Sequence, residues 1–146
     1  MDNAKQTFLR SMIGAFSGFM ILALTLTAQA AEFMSVEKAS NLSKAGKIYL
    51  IDIRHPDEWK QTGIPASAAP ISMHVSGFLD KLAKLTGGEK DAKIALICAH
   101  GNRSTYISNE LEKRGFTSII NVAEGMLGSG KGAGWLAAKL PVISAP

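Results

Sequence analysis

The stretch "KIALICAHGNRSTYISNELEKRG", residues 93–115, decides the fold. Its opening, "KIALICA" (93–99), has the length and apolar composition of a buried strand. Its close, "STYISNELEKRG" (104–115), spaces Ile107, Leu111 and Arg114 by four and then three residues, the repeat of a helix face, and Gly115 supplies a stop. Between them lie Cys98, Ala99, His100, Gly101, Asn102 and Arg103, with Ser104 placed to cap the helix. An apolar strand that hands over to a helix through a short loop is the unit of a parallel sheet buried on both faces.

The same alternation runs outward. "VEKASNLSKAG" (36–46) reads as a helix with Ser35 as N-cap and Gly46 as stop. "KIYLIDI" (47–53) is a strand-type run. "HPDEWKQTG" (55–63) places a proline near a helix start and acids in its first turn, where the helix dipole favours them. "AAPISM" (68–73) is a further short strand, and "VSGFLDKLAKL" (75–85) puts Phe78, Leu79, Leu82 and Leu85 on one side of a helix that Gly87 and Gly88 end. Downstream, "TSIINVA" (117–123) is the last clear strand, "EGMLGSGKGAG" (124–134) a glycine-rich loop and "WLAAKL" (135–140) a final helical turn or two. The expectation is an α/β chain: a single domain with a mostly parallel central sheet of about five strands and helices on both faces. In such sheets sites form at the carboxyl ends of strands. Cys98 stands at that kind of junction.

The first thirty residues follow different rules. Lys5 and Arg10 precede the uncharged "MIGAFSGFMILALTLT" (12–27), and Ala28 and Ala30 stand two apart just after it. A positive start, an apolar run and a small-x-small site make a secretory signal, cut after Ala30. The expectation is a signal peptide over 1–30 and an exported domain over 31–146, free of the membrane after cleavage. The rival is an uncleaved anchor, since 11–31 is just long enough to span. Losing Lys5, Arg10 and Asp2 takes 16 basic and 12 acidic residues to 14 and 11, a net charge of +3. These charges are scattered, with no basic stripe and no interleaved aromatics, which argues against nucleic acid as a partner. Exported domains of this size often carry disulfides, yet Cys98 is the only cysteine. A leftover cysteine is an intermolecular partner, a buried bystander or a reactive thiol, and its neighbours decide.

Those neighbours favour reactivity. The first N–H groups of a helix lack internal partners and carry the positive end of its dipole. Gly101 and Asn102 readily take positive φ, so the loop can curl and aim several N–H groups inward. Arg103 adds a permanent cation. Such groups stabilise a thiolate, the nucleophilic form of cysteine.

C-x-x-G-x-R-S after an apolar strand resembles the active loop of the rhodanese sulfurtransferases. "LIDIRHPDEW" (50–59) resembles that family's strand and acidic helix, "GIPASAAPI" (63–71) its "HIPGA" segment, and 113–142 its closing stretch, with Gly125 and Trp135 in the expected order. Together these cover nearly all of residues 33–142, and exported single-domain rhodaneses of the bacterial periplasm are the nearest type. The resemblance implies a periplasmic, monomeric thiosulfate:cyanide sulfurtransferase with no cofactor and no metal. Cys98 would take the outer sulfur of a small anionic donor such as thiosulfate, and a thiophilic acceptor, cyanide or a thiol, would take it from the persulfide. Ala99, His100, Gly101, Asn102, Arg103 and Ser104 would bind substrate. The family's histidine before Ile-Pro is Gly63 here, its following glycine is Ala66, and 126–134 is longer and richer in glycine. These departures bear on the rim of the pocket.

Plainer readings stand beside these. Arg103 has a structural alternative, an ion pair to Asp52 or Glu58. His100 is expected to point outward, and Gly101 and Asn102 to shape the backbone. Asp52, Arg54 and Glu58 read as a charge network, and Trp59 and Trp135 as core or pocket wall. His55 and His74 have no partner pattern for a metal. Gly125, Gly130 and Lys131 match G-x-x-x-x-G-K, but Gly132 replaces the hydroxyl that would hold Mg²⁺. Phosphatases and arsenate reductases with a similar loop need five residues between cysteine and arginine; here four intervene. A non-enzymatic persulfide carrier shares every feature of the loop. A thiol–disulfide oxidoreductase usually wants a second cysteine. The reactive reading requires a sulfur that substrate can reach.

Overall fold

The structure, a computed structural model, describes residues 32–145, so the expected signal peptide and its cleavage site lie outside the described residues. Eleven elements follow in order: β1 (Glu32–Phe33), α1 (Val36–Lys44), β2 (Tyr49–Asp52), α2 (Pro56–Thr62), β3 (Ile64–Pro65), β4 (Ala68–Pro70), α3 (Phe78–Thr86), β5 (Ile94–Ile97), α4 (Asn102–Lys113), β6 (Ile119–Val122) and β7 (Val142–Ile143). Five strands form one sheet in the order β1-β6-β5-β2-β4, with every neighbouring pair parallel. β3 and β7 make a separate antiparallel pair.

The apolar runs are unbroken because both faces of the sheet are covered. Successive side chains of a strand point to opposite faces. Along β5, Ala95 and Ile97 pack with Val36 and Ala39 of α1 and with Trp135. Ile94, Leu96 and then Cys98 pack with Leu82 of α3 and Leu111 of α4. Each fully buried isoleucine or leucine contributes about 1.5–3 kcal/mol, so the central strands hold the domain together. Cys98 continues this alternation and is thereby delivered to the face that carries α4.

Several local expectations hold in detail. Ser35 caps α1, its Oγ accepting from the Lys38 N–H at 3.3 Å. Pro56 opens α2 and Gly63 closes it. Others need correction. β1, β3 and β7 have two residues each and left no periodic trace. Of the apolar side expected on α3, Leu82 is buried, whereas Leu79 and Leu85 are 39% and 36% exposed. This helix buries only Leu82 and Thr86, a narrower seat than its apolar side. Residues 135–140 form hydrogen-bonded turns, with the Ala138 N–H on the Gly134 carbonyl at 3.0 Å, rather than a regular helix.

Candidate active site

Cys98 immediately follows β5, and α4 begins at Asn102 with Gly101 as its N-cap. Ser104 is therefore not the cap. It is the third residue of the helix, and its hydroxyl donates back to the Gly101 carbonyl at 2.9 Å. Gly101 takes the position because the chain turns there with φ +87° and passes close to Ala123; a Cβ would run into the Ala123 carbonyl. The turn after β6 grips the loop from that side, Met126 and Leu127 donating to the Cys98 and Ala99 carbonyls at 2.8 and 2.9 Å. Gly125 makes the reciprocal approach, at φ +73°, with its missing Cβ facing Ala99.

This folding turns the amides of the helix start onto one atom. The Cys98 sulfur accepts from the Gly101 N–H at 3.1 Å and the Ser104 N–H at 3.4 Å, and the Ser104 hydroxyl lies at 3.5 Å. Helix-start amides have no intrahelical partner, so a negative sulfur satisfies them. The open sulfur that the sequence reading requires is corrected: Cys98 is only 1% exposed. Its side chain points into the core face beneath α4, and the loop closes around it.

Arg103 lies beside this sulfur and is held from outside. Its guanidinium pairs with Glu58 through Nη1–Oε2 and Nη2–Oε1, both 2.6 Å, and Nη1 also lies 3.3 Å from His74 Nε2. Bidentate charge-assisted pairs of this kind are short and directional. The hydrogen bonds from Arg103 are the main cause that holds the Glu58 carboxyl down at about 2, against partial desolvation; the His55 N–H adds to them. Arg103 is raised in turn, first by Glu58 and further by the Cys98 sulfur. Glu58 is thus the partner among the two anticipated. Asp52 pairs instead with Arg54, Oδ2 to Nη2 at 2.6 Å, both fully buried. Arg54 also donates to Thr62 Oγ1 and the Gly63 carbonyl at 2.7 and 2.8 Å. The expected single charge network is two separate pairs.

The remaining predicted residues divide around the loop. Ala99 is buried, while His100 and Asn102 are exposed. His100 points outward, its Nδ1 at 2.8 Å from the Gly128 carbonyl. With Phe33, Asn102 and Lys131 it lines a cavity of about 470 Å³ on the outer flank of the loop, whose lining does not include Cys98. Trp59 and Trp135 are both buried. The G-x-x-x-x-G-K segment forms a tight turn closed by a Ser129–Gly132 bridge, and turns rather than a helix follow it. Another cleft, about 410 Å³ and lined by Glu32, Lys47 and Lys93, sits at the amino ends of the strands, away from Cys98. His74 is the residue at the site that sequence reasoning missed. It lies 29 positions from Arg103 in a segment with no periodic pattern, so nothing local pointed to it.

Known proteins are similar to this chain in sequence or in fold. An uncharacterised protein of Rickettsia prowazekii, RP600, is 28% identical over 99 residues, covering 64% of this chain and 80% of that one. The polysulfide-sulfur transferase homodimer of Wolinella succinogenes is similar in structure, with a TM-score of 0.62 and 27% identity over 79% of this chain and 80% of that one. A rhodanese-like domain protein of Staphylococcus aureus matches in fold, with a TM-score of 0.57 and 24% identity over 77% of this chain and 99% of that one. Residues 35–129, the span from the cap of α1 to the glycine-rich turn, match the rhodanese-like domain, and the chain belongs to that family.

Proposed function

We propose that the chain is a sulfurtransferase in which Cys98 carries the sulfur. The observation that supports it most is the pair of helix-start amides, Gly101 N–H and Ser104 N–H, directed at the Cys98 sulfur at the carboxyl end of β5. In the first step the Cys98 thiolate attacks the outer sulfur of thiosulfate. A new S–S bond forms, the S–S bond of the donor breaks, and its electron pair leaves with sulfite. Cys98 then holds a persulfide anion, which the same amides stabilise. In the second step cyanide or a thiolate attacks the terminal sulfur and restores the Cys98 thiolate, a ping-pong sequence. The Wolinella neighbour, named for polysulfide-sulfur transfer, favours a second anionic donor, polysulfide, by the same attack on a terminal sulfur.

Burial sets a condition on this reading. With Cys98 at 1% exposure, donor must displace part of the cover around it. Glu58 stays ionised at ordinary pH and does not release Arg103 by protonation. A competing anion releases it. The test is intact mass after treatment with thiosulfate, and in parallel with polysulfide. A gain of one sulfur atom, absent in Cys98→Ser, is the expected result, and an unchanged mass with both donors sinks the proposal. Steady-state thiocyanate formation then separates an enzyme from a carrier. We propose further that the protein works in the periplasm as a monomer. The native protein beginning at Ala31, and a single-chain mass in solution, are the checks.

A further inference from the structure

We propose that His74 is a donor-binding residue of this site and couples anion capture to proton uptake; the proposal rests on the sulfurtransferase reading above. Arg103 Nη1 is placed between two acceptors, Glu58 Oε2 at 2.6 Å and His74 Nε2 at 3.3 Å. The guanidinium has only N–H donors, so in a hydrogen bond between the two Arg103 donates and His74 Nε2 accepts. The mouth of the site then has no net charge, because Glu58 cancels Arg103. An anionic sulfur donor then meets no unpaired side-chain cation in this trio. Imidazoles ordinarily change charge between about pH 5 and 8. A second proton on Nε2 turns His74 from acceptor to donor and sets two cations side by side. An anion seated between them relieves that repulsion, accepts from both, and competes with Glu58 for the guanidinium.

The other charged groups around His74 are already committed. Its ring lies 5.6 Å from that of His55, the cap residue of α2. His55 Nδ1 accepts from the Asp57 N–H at 3.4 Å and lies 3.6 Å from the Asp57 carboxylate. Glu58, also on α2, faces His74 through Arg103, and Arg103 comes from α4. The main chain that carries the imidazole is anchored. The His74 N–H is tied to Ser72 Oγ at 3.1 Å, and the Met73 N–H to the Ile53 carbonyl at 3.1 Å, which hooks the segment to the end of β2. His74 is thus a titratable ring in direct contact with the cation beside Cys98.

The test measures thiosulfate binding to the full chain carrying Cys98→Ser, which prevents turnover, at about pH 5.5 and about pH 8. Thiosulfate is a dianion throughout this interval. Binding about tenfold tighter at the lower pH is expected, the effect of one charge-assisted hydrogen bond. Adding His74→Gln, whose carbonyl can still accept from Arg103 but cannot take up a proton, should abolish that dependence. Adding His55→Asn should leave the dependence intact. Persistence of the pH effect in His74→Gln, its loss in His55→Asn, or absence of thiosulfate binding overturns the proposal. The persulfide mass test on the unsubstituted protein separates the two readings. A sulfur gained with no role for His74 sinks only this inference, and His74-dependent binding with no sulfur gained sinks only the transfer reaction.

Discussion

Glu58 performs two tasks with one carboxylate. It closes the capping box of α2, accepting the His55 N–H at 3.0 Å, and it clamps Arg103. Its carboxyl ordinarily titrates at 4.5 and is lowered to about 2 in the fold. A lowered acid contributes stability above its unfolded value and loses it as pH falls through the folded one. The contribution is therefore complete above pH 4.5 and disappears toward pH 2. Glu58→Gln should lower stability at neutral pH by about 1–2 kcal/mol, a partly screened pair. Denaturant melts of variant and parent should converge on acidification through that window. The same substitution frees Arg103 for anions, so KM for thiosulfate should fall about three- to tenfold. A collapse of kcat at constant KM would instead mark the pair as scaffold. Cys98 itself was legible in the sequence, because strand, loop and helix start are contiguous there. Its cover was not, because Glu58 stands 45 positions from Arg103 and nothing in either segment specifies which acid it meets.

At the scale of elements, the loop before α4 and the turn after β6 are shaped against each other, backbone to backbone. Gly101 presses on Ala123 and Gly125 presses on Ala99, both with φ between 70° and 90°. Alanine at either position meets an unfavourable φ and a main-chain collision together. Gly101→Ala and Gly125→Ala should each lose about 3 kcal/mol or more, read as a shift in denaturant midpoint. They should also impair sulfur loading, because the amides aimed at Cys98 depend on that shape. The same contact explains the misread cap. A serine before a polar helix is the usual N-cap signal, but the close pass at Ala123 is invisible in sequence and puts glycine there instead. Long elements such as α1 and β5 declared themselves by cap and apolar run. The two-residue strands exist only through their partners: β1 by pairing Phe33 with Asn121, and β3 and β7 by pairing with each other.

The whole molecule is a sheet insulated on both sides, and Trp135 completes one of them. It is fully buried among Leu50, Ile97 and Val122, with its indole N–H on the Pro141 carbonyl at 3.2 Å. Trp135→Ala should cost about 3–5 kcal/mol, visible as a lower Tm. The parallel α/β class was legible because apolar runs without alternation demand cover on both faces. The path of the tail was not, since "LPVISAP" has no pattern of its own. That tail has a mechanical role. The Ala66 N–H holds the Pro141 carbonyl at 3.0 Å, and Gly63 lies against the Ile143 carbonyl at 2.8 Å from its ideal Cβ. Gly63 ends the very helix that bears Glu58. A variant ended at Pro141 should therefore show faster deuterium uptake in α2 while β5 stays protected, an outlying anchor whose severing slackens a distant bolt.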